Sequence, residues 1–260
     1  MSEVERADDG AVRVLTLNRP EARNALNLAT LAALRAELAA VAAAPAVRAR
    51  VLTGAGRAFS AGADVKEWAK VVAEGRGEGY DWVGEAHRLI TEVAACPLPT
   101  LALLNGAAVG IGLDLAIACD FRFAVEDALF TCAYTRMAYP PDGGGTWLLP
   151  RVLGPTEAKR FVFTAAPWSA REALAKGLVS DVHPPATLRD EALRFARQLA
   201  SGPTLAIREA KALIDGAGRR TLVEQLDLER TAGARCGRTR DHAEALKAAV
   251  EKRDPVFVGS

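Results

Sequence analysis

Twice in this chain a β-prone run gives way to small residues and then to a helical pattern. The first joint is Phe59-Ser60-Ala61-Gly62-Ala63-Asp64, and the second is Asn105-Gly106-Ala107-Ala108-Val109-Gly110-Ile111-Gly112. Small side chains let a ligand come close to the backbone, and a helix start presents N–H groups without intrahelical partners. Taken singly, each joint is a tight strand-to-helix connection. Facing each other, the two would clamp one oxyanion.

The surrounding pattern alternates. Val4 to Ala7 and Ala11 to Leu17 flank Asp8-Asp9-Gly10 and predict an opening hairpin. Asn27 is placed to cap a helix whose Leu31, Leu34, Leu38 and Val41 recur at helical spacing. Arg50 to Leu52 and Thr100 to Leu104 read as buried strands, and Phe121 to Ala124 and Leu129 to Cys132 as two more. A helical region from Asp64 to Ala95 is interrupted at Gly75 to Gly79, and a further helix runs from Gly110 to Ala118. The first two-thirds is therefore α/β. In the last third, Ser169 with Glu172 marks a helix start and Gly177 its stop. After a strand at Leu178 to Val182, four helical segments follow. The division expected is a core over 1–195 and a helical region over 196–260.

Several chemistries are excluded. With 260 residues and a net charge of +1, the chain has no bulk electrostatic signal for nucleic acid or an anionic membrane. Met1 to Asp9 has no apolar core of a signal peptide, and charges or Pro break every long apolar run, so neither export nor a membrane span is expected. The four cysteines are scattered without a C-x-x-C, which fits reduced thiols in a cytoplasmic enzyme. Gly54-Ala55-Gly56 would need its third glycine at Phe59, so the dinucleotide fingerprint fails. Gly106 to Gly112 lacks the Lys-Ser/Thr of a phosphate loop. His87, His183 and His242 lack metal-ligand spacing, so no metal is expected. Ser60 has Ala58 where a nucleophile elbow needs glycine.

Beyond these joints, the blocks Leu17 to Asn27, Gly56 to Glu67, Asn105 to Asp120, Pro141 to Arg151, Ala170 to Val179 and Glu251 to Phe257 resemble the enoyl-CoA hydratase/isomerase (crotonase) superfamily in order and spacing. The resemblance spans nearly the whole chain. It implies a spiral of β-β-α units with a C-terminal helical trimerisation region, assembled as a homotrimer or a dimer of trimers. The substrate it implies is an acyl-coenzyme A thioester, with no separate cofactor. By position, the N–H groups of Ala61 and Ile111 would form an oxyanion hole. Ala63, Asp64 and Lys66 would lie along the CoA adenine and ribose, and Arg23 and Ala25 near the pantetheine and phosphates. Lys252 and Phe257 match a C-terminal pair that reaches CoA in a neighbouring subunit. Ile111, Ala245 and Ala249 depart from the family pattern; the first narrows the acyl pocket.

An oxyanion hole stabilises the enolate of a thioester, each donor contributing roughly 3 kcal/mol, but it moves no proton. Hydratases of this family use two glutamates, and here those positions hold Asp114 and Tyr134. A phenol is a poor base near neutrality. Asp142 stands where some family isomerases carry one catalytic acid. Pro141 to Leu153 with Leu222 to Arg230 most resembles the ring-epoxide phenylacetyl-CoA isomerases and related enoyl-CoA isomerases. The expected activity is β,γ- to α,β-enoyl-CoA isomerisation by Asp142, with Asp114 assisting and Tyr134 as pocket wall. Two alternatives stay open: hydration through Asp114, and a non-catalytic acyl-CoA-binding protein. Locally, Pro-Asp-Gly is also an ordinary turn, and Asp114 a first-turn helix acid.

Overall fold

The computed structural model describes residues 2–40, 44–75 and 80–260. Val41 of the expected helical stripe and Gly77 to Gly79 of the glycine-rich loop lie outside them. Strands β1 (Val4–Asp9) and β2 (Val12–Leu17) pair antiparallel around Gly10, whose φ of 60° suits the tight turn. Helix α1 (Leu28–Ala39) follows, its Asn27 side chain accepting from the Thr30 N–H at 2.7 Å. Leu31 and Leu34 are fully buried on its inner face.

Next come β3 (Ala49–Gly54), β4 (Ala58–Ser60), α2 (Val65–Ala73) and α3 (Trp82–Ala94). The same order repeats as β5 (Thr100–Leu104), β6 (Ala107–Val109) and α4 (Ile111–Ile117), and again as β7 (Phe121–Val125), β8 (Leu129–Thr131) and α5 (Gly145–Thr164). Each turn gives its first strand to one sheet and its second to another. The larger sheet has the order β1-β2-β3-β5-β7 and is parallel from β2 onward. The smaller sheet stacks β4, β6 and β8 in parallel. This is the expected spiral of β-β-α units. The second strands, β4 and β6, are three residues each, too short to show a period in the sequence.

Local sequence rules do not predict helix α5. Gly143, Gly144, Pro150 and Pro155 mask it in the sequence, and Gly154 (φ 75°) breaks it in the middle. After it come β9 (Trp168–Ser169), which pairs with β8, and α6 (Ala170–Ala175), capped by Ser169. Strand β10 (Asp181–His183) joins β7. The strand expected over Leu178 to Val182 is thus shifted: Leu178 and Val179 are buried in a turn, and the Leu178 carbonyl accepts from Arg122 at 2.6 Å.

Helix α7 (Leu188–Ser201) lies across β2, β3, β5 and β7 through Leu188, Ala192, Leu193, Ala196 and Ala200. Every residue of β3 and β5 is buried, as parallel strands covered on both faces must be. The expected boundary at 195/196 falls inside α7, which packs as one element on the core. The chain ends in α8 (Thr204–Gly216), α9 (Leu222–Cys236) and α10 (Arg240–Glu251). Ile214, Leu222, Val223 and Val250 there are each at least 72% exposed. Among the described residues, no helix is long and apolar enough to cross a membrane.

Candidate active site

The two small-residue joints meet. Gly62 is buried with φ 89°, and a Cβ there would lie 2.7 Å from the Val109 carbonyl and 3.7 Å from the Ile111 nitrogen. Gly112 approaches Ser60 so closely that a Cβ on it would come within 2.6 Å of the Ser60 side chain. The Ser60 hydroxyl donates to the Asn24 carbonyl at 2.9 Å and accepts from the Gly62 N–H, so it braces the joint.

Asn24 organises the first joint. It is 1% exposed, in the left-handed region at φ 56°, where Asn is among the better tolerated residues. Its amide donates to the carbonyls of Ala55 and Ala58, and its side-chain oxygen accepts from the Arg19 N–H. In the second joint, Asn105 donates to the Gly56 and Ala58 carbonyls and accepts from the Gly54 N–H. Both asparagines stood in the motifs, but nothing in the one-dimensional pattern said what they would hold.

One expected donor is corrected. The Ala61 N–H donates to the Arg23 carbonyl at 2.9 Å and so is already used. Two residues on, Ala63 forms an isolated parallel bridge with Leu26, using the neighbouring Gly62 carbonyl and Asp64 N–H. Among the described residues the Ala63 N–H makes no hydrogen bond of its own. Ile111 is the first residue of α4, where a helix offers its N–H no internal acceptor. The pair of free amides is therefore Ala63 and Ile111. Ile111 is 2% exposed, and its side chain packs beneath Gly143.

Beside Ile111, Asp114 is fully buried. The Tyr134 hydroxyl donates to its Oδ2 at 2.6 Å, so Tyr134 is more than a wall. Its Oδ1 has no hydrogen-bond partner among the described residues. Gly143 and Gly145 lie so close that a Cβ on either would sit 2.5 and 2.6 Å from the Asp114 carboxyl oxygens. Burial pushes the Asp114 carboxyl up to about 7, opposed by the Tyr134 hydrogen bond and reinforced by the charge of Asp142. Burial, with Asp114 beside it, pushes the Tyr134 phenol well above its ordinary range, so it stays protonated. Asp142 is half-buried, and burial raises its carboxyl too, against its own N–H and His87. The two expected acids thus share one wall.

A cavity of about 150 Å³ opens next to Ala63 between α2 and α3, lined by Trp68, Val71, Val72, Tyr80, Trp82 and Val83. Apolar and aromatic side chains make up most of its wall, and Asp64 and Asp81 stand at it as well. Trp147, by contrast, is 49% exposed beneath the Arg151 guanidinium, while Leu148 and Leu149 are core.

The expected CoA contacts fall in two groups. Arg23 and Lys66 are exposed near the first joint, while Ala25 is buried and its carbonyl accepts from Arg19 at 2.7 Å. The Asp64 carboxylate is committed to the α2 cap and to Arg19 at 2.9 Å. Burial works against its charge, but Arg19 and the Glu67 and Lys66 N–H groups outweigh it and hold its pKa low. Lys252 is exposed at the end of α10. Phe257 lines a second, smaller cleft with Pro203, Leu205, Cys236, His242 and Ala245. All four cysteines are free thiols.

Two interleaved sheets, a pair of unspent amides and a buried carboxyl beside them define a crotonase-like fold with an enzyme's pocket at its joints. The chain belongs to the enoyl-CoA hydratase/isomerase family, whose model matches residues 7–260. It is 37% identical over 252 residues to 1,2-epoxyphenylacetyl-CoA isomerase of Escherichia coli (strain K12), covering 95% of each chain. It is 35% identical to crotonyl-CoA hydratase of Syntrophomonas wolfei, covering 94% of each. Among solved structures, an enoyl-CoA hydratase from Bacillus anthracis superposes with a TM-score of 0.91 at 34% identity, over 99% of this chain and 100% of that one.

Proposed function

We propose that this protein isomerises β,γ-enoyl-CoA thioesters to their α,β isomers. The observation that carries the reading is the Tyr134–Asp114 hydrogen bond: the group opposite Asp114 is a phenol that stays protonated, not a second carboxylate able to activate water. In this reading the thioester oxygen accepts from the Ala63 and Ile111 N–H groups. The Asp142 carboxylate removes a proton from the α carbon, and the electron pair delocalises onto the thioester oxygen as the dienolate. The Asp142 carboxyl exchanges its proton with solvent and then protonates the γ carbon, leaving the double bond between the α and β carbons. A raised pKa suits a group that must both take and give a proton. Asp114 stays neutral beside it, since two adjacent carboxylates resist ionising together.

The acyl chain would lie in the Trp68–Trp82 cavity. CoA would run past Arg23 and Lys66, with Lys252 and Phe257 supplied by a neighbouring subunit of a homotrimer or dimer of trimers. The exposed apolar residues of α8 to α10 support that assembly. A cytoplasmic location fits a CoA-dependent activity and four free thiols.

The second reading is hydration. It is favoured by the unpartnered Oδ1 of Asp114 together with a pKa of about 7, which suits general acid–base work. One experiment separates the two: incubation of 3-enoyl-CoA and crotonyl-CoA in deuterated water, with mass analysis of the products. Isomerisation gives deuterated 2-enoyl-CoA that Asp142→Asn abolishes. Rapid 3-hydroxyacyl-CoA formation, lost in Asp114→Asn and kept in Asp142→Asn, would establish hydration instead. Tight thioester binding with neither product would leave a non-catalytic acyl-CoA-binding protein.

A further inference from the structure

We infer that His87 is a positioning residue: its imidazole fixes the loop that carries Asp142 to the helix that walls the acyl cavity. The inference rests on Asp142 being the acid. His87 lies on α3, and its Nε2–H donates to the Asp142 carbonyl at 2.6 Å. The loop packs through Gly143 on Asp114 and Ile111 but makes few other main-chain hydrogen bonds. Pro140 and Pro141 carry no N–H, and Gly143 and Gly144 impose little conformational preference of their own. Among the described residues, the bond from His87 is the one main-chain tie to another element between Pro140 and Gly143.

The donor is robust. A neutral imidazole with its proton on Nε2 donates there, and so does an imidazolium. The neighbouring charge on α3 is committed elsewhere, because Arg88 pairs with Glu85 one turn before it and with Asp81 at the N-cap. Asp142 is the charged group that faces the imidazole from across the gap. Val83, one turn before His87, lines the acyl cavity on the same side of α3. The cavity wall and the acid are therefore registered to each other through one side chain. A misplacement of about 1 Å at a reacting group costs up to roughly 100-fold in rate.

The test compares His87→Ala, His87→Gln and Asp142→Asn in the full-length protein, reading kcat, KM, deuterium incorporation and thermal midpoint with a 3-enoyl-CoA. His87→Ala should lower kcat by roughly 10- to 100-fold with KM changed by less than about threefold and the melting midpoint nearly unmoved. His87→Gln, which keeps an N–H donor, should recover most of the loss. If Asp142→Asn is inactive while His87→Ala turns over within about twofold of the parent, the positioning role is wrong and the acid stands. If Asp142→Asn remains fully active, the acid assignment falls and takes this inference with it. A His87→Ala loss that tracks a lowered melting midpoint, and that Gln does not rescue, would make His87 a merely structural residue.

Discussion

The Tyr134 hydroxyl donates to Asp114 Oδ2 at 2.6 Å, and the other oxygen of that carboxyl is buried without a partner among the described residues. A buried acid half-satisfied in this way must respond to pH in both stability and rate.

Asp114→Asn should stabilise the fold more as pH rises. Burial in the fold pushes the Asp114 carboxyl from the ordinary value of 3.8, which an unfolded chain would keep, up to about 7. Being raised, it costs nothing below the unfolded value, and stability is lost as pH climbs through the window from about 4 to about 7. The full cost above that window is about 4 kcal/mol, and about 3 kcal/mol of it accrues between pH 5 and pH 8. Urea unfolding of parent and variant at those two pH values measures the difference; an equal gain at both would contradict the buried, neutral acid.

Tyr134→Phe should move the high-pH limb of the rate profile upward. The phenol's hydrogen bond lowers the Asp114 pKa, so its removal raises it and Asp114 stays neutral further into the alkaline range. The variant also leaves Oδ2 buried without its donor, at a cost of roughly 1–3 kcal/mol. Profiles of kcat against pH, paired with denaturant titrations, check both parts.

Ile111→Pro should abolish one oxyanion donor while sparing the helix. Proline is well accommodated at the first helical position, where it removes an N–H that the helix does not use, along with the buried Ile111 side chain that packs beneath Gly143. The expected loss in kcat is roughly 100- to 1,000-fold with the circular dichroism unchanged. Retained turnover in a folded variant would remove Ile111 from the hole.

Asn24→Ala should unfold the first joint before it affects chemistry directly. Three hydrogen bonds to Arg19, Ala55 and Ala58 disappear inside a site that is 1% exposed. A loss of roughly 2–4 kcal/mol is expected from stranded buried groups. Conservation of the parent's unfolding midpoint would show that the Asn105 contacts suffice alone.

Much of this architecture was legible in the residues. The hairpin around Gly10, the strand Thr100–Leu104, the Asn27 cap and the stop at Gly177 follow from local rules that act over a few positions. The resemblance drew attention to Asp114, Asp142 and the two joints, and the fold gathers them on one wall. Local rules failed where three-residue strands needed a sheet to exist, as in β4 and β6, and where glycine and proline hid a helix, as in α5.

The sequence by itself determined the longer buried strands, the capped helices, the two joints and the family their order belongs to, because backbone preferences and hydrophobic spacing are local properties. Only the tertiary structure decided which amide is free, which carboxyl is buried and shifted upward, and what His87 holds. Those depend on partners 20 to 55 residues distant along the chain, such as Tyr134 for Asp114 and Asp142 for His87. A hydrogen bond or a desolvated charge is set by what lies across a few ångströms of space, and no periodicity along the chain encodes that distance.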